Sequence, residues 1–296
     1  MSVTTPAFDA SAYKSAQREQ WNRSAEGWDA HGPQIRGWLR AATDAMIEMA
    51  GVQAGSQVLD VAAGAGDQTL DIAARVGRQG GVVAIDLSPV IADLARRHAE
   101  RAGHANVVVR VGDAERLPVD SDAFDAAVCR LGLMFLPDPL QGLREMHRAV
   151  RPGGGVCTVV FSRPERNPCV TTLLGTALKH AGLPPRDPCA PGGLLSLGKP
   201  GLIDALFREA GFEQVATTTL DAPFELPTVR HYLEFVRSSA SPVQQILGRL
   251  EPSAAQAAWS QIEERLSMFQ RGDRWVGPNE LLVTAGRRPD GVRGHE

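Results

Sequence analysis

The chain has 296 residues, 43% of them hydrophobic and 22% charged, a composition that suits one large α/β domain with additions. A formal net charge of −3 gives no electrostatic footprint for nucleic acid as the main partner. The opening MSVTTPAFDASAYKS lacks the charged-then-apolar build of a secretory signal, and the apolar runs are too short to cross a bilayer, so a cytoplasmic protein without a membrane span is expected.

The first fifty positions carry Trp21, Trp28 and Trp38 and an amphipathic pattern over 35–50, which predicts a helical arm. Four short, valine-rich, nearly continuous apolar runs come next, at 57–61, 81–86, 107–111 and 126–131. They read as parallel strands covered by helices on both faces. A fifth run, 155–161, follows the turn Arg151-Pro152-Gly153-Gly154.

Helical periodicity separates these strands. The segment 88–103 has Ser88 as N-cap, Pro89 at the first helical position and Gly103 to end it. In 139–150, Leu140, Leu143, Met146 and Val150 recur at spacings of three and four. Alternating strand and helix imply right-handed crossovers and an open parallel sheet.

Beyond Phe161 the rhythm changes. Positions 162–200 are rich in proline and glycine with one helix near 169–181, followed by a helix at 202–210 and a strand at 214–220. Helices at 229–237 and 254–269 precede a last strand at 280–285, so an all-helical insertion separates the last two strands and is placed to act as a lid. The tail from Arg287 is polar and expected to be disordered. The expected organisation is an arm over 1–50, a core over 51–163, and the rest of the sheet over 164–286. Insertions at 164–200 and 228–270 would form a lid, and 287–296 a free tail.

The strongest chemical signal is Val58-Leu59-Asp60-Val61-Ala62-Ala63-Gly64-Ala65-Gly66-Asp67, at the turn from first strand to first helix, where open α/β sheets bind ligands. Gly64 and Gly66 let the backbone turn sharply and approach a ligand. Asp86 ends the second strand, where a carboxylate can accept hydrogen bonds from both hydroxyls of a ribose. A dinucleotide fingerprint needs a third glycine where Thr69 stands, and Asp60 and Asp67 would repel a pyrophosphate while suiting the ammonium of a methionine moiety. After the third strand, Asp113 is placed to accept from an adenine amine and the Ala114 backbone to serve a ring nitrogen. Asp60 has a second reading, as a brace for the turn.

The ordered set VLDVAAGAGDQT, VVAIDLSP, VGDAERLPVDSDAFDAAVCRLGLMFLPD and REMHRAVRPGGG resembles the class I S-adenosylmethionine-dependent methyltransferases. It is most similar to the branch that holds the menaquinone and ubiquinone C-methyltransferases and many small-molecule methyltransferases. The likeness is strong over 58–161 and looser over GFEQV and ELLVTAGRR. It implies an α/β fold, a Rossmann-like doubly wound sheet that is mostly parallel with an antiparallel last strand, plus helical lid insertions. It implies S-adenosyl-L-methionine as cofactor, with contacts from Asp60, Ala62, Gly64, Gly66, Gln68, Asp86, Leu87, Asp113 and Ala114, and with Arg130 and Leu131 on the methionine side. Members commonly have glycine where Ala62 stands, and cysteine then threonine around Gly64, which leaves the path of this loop open.

Methyl transfer needs alignment above all, and a base only for an acceptor that keeps its proton. His31, in Trp28-Asp29-Ala30-His31-Gly32-Pro33, is the candidate base, against a structural role; His147 reads as structural, and His231 reaches an acceptor only if the lid folds inward. Trp28 is expected to form an aromatic wall against the cofactor, Trp38 to pack the arm. Phe135, Tyr232 and Phe235, with Phe161 and Leu195, would line a site for an apolar acceptor that Arg163, Glu165 and Asn167 orient. Cys129 and Cys157 read as reduced core residues, Cys169 and Cys189 as either buried or reactive, and no Cys/His spacing suggests a metal. The expected partner is therefore a small, largely apolar molecule (aromatic or quinonoid), methylated at oxygen or carbon, with no nucleic acid; an exposed edge or arm leaves room for a homodimer. The rival readings are a nicotinamide-dependent oxidoreductase, which would want the missing glycine and a Tyr-x-x-x-Lys pair, and a regulator or cyclase that binds the same cofactor without transferring methyl.

Overall fold

The computed structural model describes residues 9–239 and 242–291. Two helices come first, α1 (Ala10–Ala30) and α2 (Gly32–Met49), joined at His31. Asp9 caps α1 by accepting from the amides of Ser11 and Ala12, and Pro33 starts α2 at a position where no backbone donor is needed. The alternating core follows: β1 (Gln57–Val61), α3 (Asp67–Val76), β2 (Gly81–Asp86), α4 (Pro89–Arg101), β3 (Val107–Val111), β4 (Phe124–Arg130), α5 (Pro139–Ala149) and β5 (Val150–Phe161). Then come α6 (Pro168–His180), α7 (Leu202–Glu209), β6 (Glu213–Asp221), β7 (Phe224–Leu226), α8 (Val229–Ser238), α9 (Pro242–Leu247) and α10 (Pro252–Leu266). β8 (Gln270–Arg271), β9 (Arg274–Gly277) and β10 (Glu280–Arg287) complete the described chain.

The main sheet has seven strands in the order β3-β2-β1-β4-β5-β10-β6. Pairing is parallel from β3 to β5, while β10 runs antiparallel to both β5 and β6. The doubly wound α/β sheet with an antiparallel last strand is thus the one expected from the sequence, and β10 sits between two strands rather than at the rim. The order reverses at β1, so the loops after β1 and β4 splay apart there and leave a crevice beyond the strand ends.

The strands are apolar on both sides because helices cover both faces. Val58, Leu59, Val128, Val156 and Val159 are all 0% exposed and merge with Ile72, Leu143 and Met146 from the helices into one core. On α2, Leu39 and Met46 are fully buried in the same core, which fixes the arm; Leu39→Ala would cost about 2–5 kcal/mol.

Three features depart from the sequence reading. β5 starts at Val150 rather than 155, because the Arg151–Gly154 stretch stays in the sheet through a register shift against β4. The insertion is not all-helical: β7, β9 and β8 pair into a small antiparallel sheet. That sheet and helices α6, α8, α9 and α10 share a second hydrophobic core around Leu173, Leu233, Ile262, Leu266 and Trp275, which meets the main core at Trp38 and Phe235. Finally, Arg287 lies within β10 and Arg288 is pinned by its amide to Gly154 O, which extends order past the expected start of a free tail; positions 292–296 lie outside the described residues.

Candidate cofactor and acceptor site

The loop after β1 is shaped by left-handed residues: Ala62 at φ 54°, Gly64 at 59° and Gly66 at 89°. Gly66 is required twice over, because a Cβ there would also lie 3.1 Å from the Cβ of Ala95 on α4. Gly64 turns its amide to Asp86, whose Oδ2 accepts it at 3.0 Å while Oδ1 accepts from Ser88 N at 2.9 Å. Burial pushes the Asp86 carboxyl up, and the amides of Ser88, Gly64 and Leu87 oppose that rise. Each carboxylate oxygen keeps accepting capacity beyond these two amides. After β4, Leu131 also sits at positive φ (57°), beside Gly132, where a Cβ would come within 2.4 Å of the Ala62 Cβ. Two non-glycine residues in this costly region, both facing the same crevice, mark a place where shape is held at the expense of local stability.

A buried polar relay stands behind the loop. Asp60 is 0% exposed and accepts from Gln68 Nε2 (3.2 Å) and Thr69 Oγ1 (2.6 Å). Burial pushes its carboxyl up to about 7, against the pull of Thr69, Gln68 and Arg130. Arg130, 8% exposed, donates to Thr43 Oγ1 (2.7 Å), Gln68 Oε1 (2.8 Å) and Asp67 Oδ2 (2.5 Å). Asp60 therefore orients Gln68 from behind, while Gln68, Asp67 and Arg130 face the cavity.

α1 closes the front. Lys14 bridges Asp113 Oδ2 (2.7 Å) and Glu115 Oε2 (2.5 Å), while Glu115 N donates to Asp113 Oδ1 (2.9 Å). Ser88 Oγ donates to Asn22 on the arm (2.7 Å), and Asp29 meets His98 Nε2 (2.8 Å). Trp21 packs edge-on against Phe135 (5.6 Å), and Trp28 lies between Trp21 (5.8 Å) and Phe235 (5.7 Å). Trp28 Nε1 is buried without a hydrogen-bond partner among the described residues. Arm and lid touch tightly at Gly27, where a Cβ would fall 1.9 Å from Ser238 O.

The cavity is a cleft open to solvent of about 1380 Å³, above the ~300–1,000 Å³ that holds one drug-sized ligand. Its first half is walled by Ala62, Gly64, Gln68, Asp86, Leu87, Asp113, Ala114, Arg130 and Leu131, which the fold brings together as the sequence suggested. The second half is apolar, between Phe135, Leu173, Leu195, Tyr232 and Phe235, with Trp28 at the junction. Tyr232 is 3% exposed, stacks on Trp275 at 4.9 Å, and burial pushes its hydroxyl well above 10.0.

Several expected site residues lie elsewhere. Asp60 and Gly66 support the loop from outside the cavity wall. His31 caps α1; its Nδ1 donates to Gly27 O (2.8 Å) and lies 3.2 Å from Ser238 Oγ, which makes it an arm–lid fastener rather than a wall residue. Arg163 is exposed and off the wall. Asn167 is 0% exposed and spends its side chain on Ser162 O, Arg163 O and Glu280 N, holding the turn after β5. All four cysteines are buried, and burial pushes the Cys169 thiol up to about 12, so the reactive reading of Cys169 has no support. Sequence reasoning missed Lys14 and His98. His98 lines the cavity, but Ala65 O (2.8 Å) and Asp29 occupy both its ring nitrogens.

Residues 36–173 match the model of the ubiE/COQ5 methyltransferase family. A ubiquinone/menaquinone biosynthesis C-methyltransferase from Geobacter sp. (strain M21) is 34% identical over 130 residues, covering 44% of this chain and 54% of that protein. A demethylmenaquinone methyltransferase from Shouchella clausii is 37% identical over 131 residues, again 44% of this chain and 54% of the relative. The chain thus spans about half the length of the curated relatives it matches. In fold it is similar to a crystal structure described as a putative methyltransferase from Bacillus halodurans (TM-score 0.55, 22% identity, 84% of this chain and 99% of that one). It is also similar to the [4+2]-cyclase SpnF (TM-score 0.54, 22% identity, 92% and 97% covered). Over residues 36–173 the chain is thus similar to the ubiE/COQ5 methyltransferase family and to curated menaquinone and ubiquinone C-methyltransferases, and over most of its length its fold is similar to that of the crystal structures named above.

Proposed function

We propose that the protein transfers a methyl group from S-adenosyl-L-methionine to a small, largely apolar acceptor, aromatic or quinonoid, at oxygen or carbon. The observation that carries this reading is Asp86, a buried carboxylate set by two backbone amides at the mouth of a left-handed glycine loop, with an apolar chamber continuous with it. When bound, S-adenosylmethionine supplies a methyl made electrophilic by the sulfonium. Asp86 would hold the ribose hydroxyls, Asp113 and the Ala114 backbone the adenine, and Asp67, Gln68 and Arg130 the amino-acid end. A pyrophosphate fits less well, because Asp67 faces the cavity and Thr69, in place of a third glycine, is committed to Asp60.

In this reading the chain contributes alignment and exclusion of water, which in favourable intramolecular models is worth ~7–11 kcal/mol. The arm and lid close the chamber, and Tyr232 keeps its proton and can donate to an acceptor oxygen. His31 and His98 are both held by other groups, so the acceptor best served here is already nucleophilic, such as a phenolate or a quinol carbon. The test is transfer of labelled methyl from S-adenosylmethionine into a panel of hydroquinones and phenols. Incorporation that is lost in Asp86→Ala supports the proposal; absence of binding to S-adenosylhomocysteine by calorimetry rejects it.

A further inference from the structure

The charged side chains that line the cavity divide into two groups. Around the cofactor half nearly all are matched: Lys14 with Asp113 (2.7 Å), Arg130 with Asp67 (2.5 Å), His98 with Asp29 (2.8 Å), and Arg36 with Asp71. Asp86 is held by backbone amides, and Asp187 faces Lys199 at 3.6 Å. Three cations are left over: Lys179, Arg186 and Arg249 line the same cavity and make no ion pair among the described residues.

All three belong to the lid side and none to the sheet that carries the acidic loops. Lys179 is in the last turn of α6, Arg186 is in the loop that follows, and Arg249 comes just after α9, which packs on α6. Each is exposed, and each is next in sequence to an apolar wall residue: Leu178, Pro185 and Leu250. The lid side of the cavity therefore carries three exposed cations that make no ion pair among the described residues. A wholly neutral acceptor would leave that charge without a counterpart, whereas an anion entering head-last would meet it with little desolvation.

We propose that the acceptor is an amphiphile: its apolar body fills the chamber under the lid, and an anionic group, carboxylate, sulfonate or phosphate, is held at the mouth by Lys179, Arg186 and Arg249. This deepens the proposed function and rests on it. The three residues set specificity and take no part in the methyl transfer itself.

The test uses two fluorescent probes with the same aromatic body, 1-anilinonaphthalene-8-sulfonate and the uncharged N-phenyl-1-naphthylamine, titrated into the full chain at low ionic strength. The triple variant Lys179→Gln, Arg186→Gln, Arg249→Gln alters only exposed positions, so it should fold as the wild type does. The expected result is about tenfold weaker binding of the sulfonate, with the neutral probe changed by less than about twofold. Added salt should reproduce the effect in the wild type. Unchanged sulfonate binding in the variant, or equal weakening of both probes, overturns the inference. Calorimetry with S-adenosylhomocysteine separates the two levels: retained binding alongside an unchanged sulfonate affinity sinks the anionic acceptor alone. No binding in the wild type sinks the methyltransferase reading and this inference with it.

Discussion

Asp60→Asn should make the protein more stable than the wild type at neutral pH, and the advantage should vanish in acid. Asp60 is fully buried, and its carboxyl is raised from 3.8 to about 7, chiefly by burial. The folded state therefore holds the proton more tightly than the unfolded chain does. The stability linked to that proton is fully present below the unfolded value and is lost as pH rises through the folded one. At about 1.4 kcal/mol for each unit of pH, the loss between 3.8 and about 7 is about 4 kcal/mol. Asparagine has the same shape, its oxygen can accept from Gln68 and its amide can donate to the Thr69 hydroxyl, and Arg130 keeps Asp67 as its ionic partner. Urea unfolding of both proteins from pH 4.5 to 8 (values about the linkage window) measures the difference directly. It should grow in favour of the variant up to about pH 7 and then level off. A difference that does not change with pH, or one that favours the wild type more as pH rises, would refute the reasoning.

Other changes separate supporting from contacting residues. Asp86→Ala removes the proposed ribose acceptor, and with hydrogen bonds to a charged group worth ~1.5–3 kcal/mol each, calorimetry should show S-adenosylhomocysteine binding weakened by about 100-fold or more. Gly66→Ala forces a φ of 89° on a residue with a Cβ and crowds Ala95, which should cost about 1–3 kcal/mol in thermal or urea unfolding. Asn167→Ala should destabilise by about 2–4 kcal/mol while leaving S-adenosylhomocysteine affinity unchanged, because its bonds tie the turn after β5 to the start of β10 and it does not line the cavity. Lys14→Met should speed dissociation of S-adenosylhomocysteine several-fold in stopped flow, since it unfastens α1 from Asp113 and Glu115 at a part-exposed pair worth about 1 kcal/mol.

The first half of the fold was legible because its signals are local. Short valine runs, an N-cap Ser88 followed by Pro89, and glycines at left-handed positions each carry their own structural meaning. The wall around Asp86 and Asp113 followed from knowing that loops at one rim of a parallel sheet converge. What failed was long-range. Asn167 and His31 look like functional polar residues in sequence; their partners, Glu280 and Ser238, lie in distant segments that only the folded chain brings near. β7, β8 and β9 are too short to show a period, and they exist because the lid core around Trp275 holds them together. Lys14 carried no motif; its role depends on α1 crossing the loop after β3. The alternative roles of Asp60, brace or contact, differ by which way one side chain points, which periodicity does not encode.

The most direct test of the central claim is a crystal structure with S-adenosylhomocysteine bound. The account predicts both ribose hydroxyls at Asp86, about 2.7 Å from its oxygens, and the adenine amine at Asp113. It also predicts that the sulfur faces the chamber of Phe135, Tyr232 and Phe235. A ligand seated with its sugar and purine away from Asp86 and Asp113, or a crystal that takes up a nicotinamide nucleotide in its place, would contradict it.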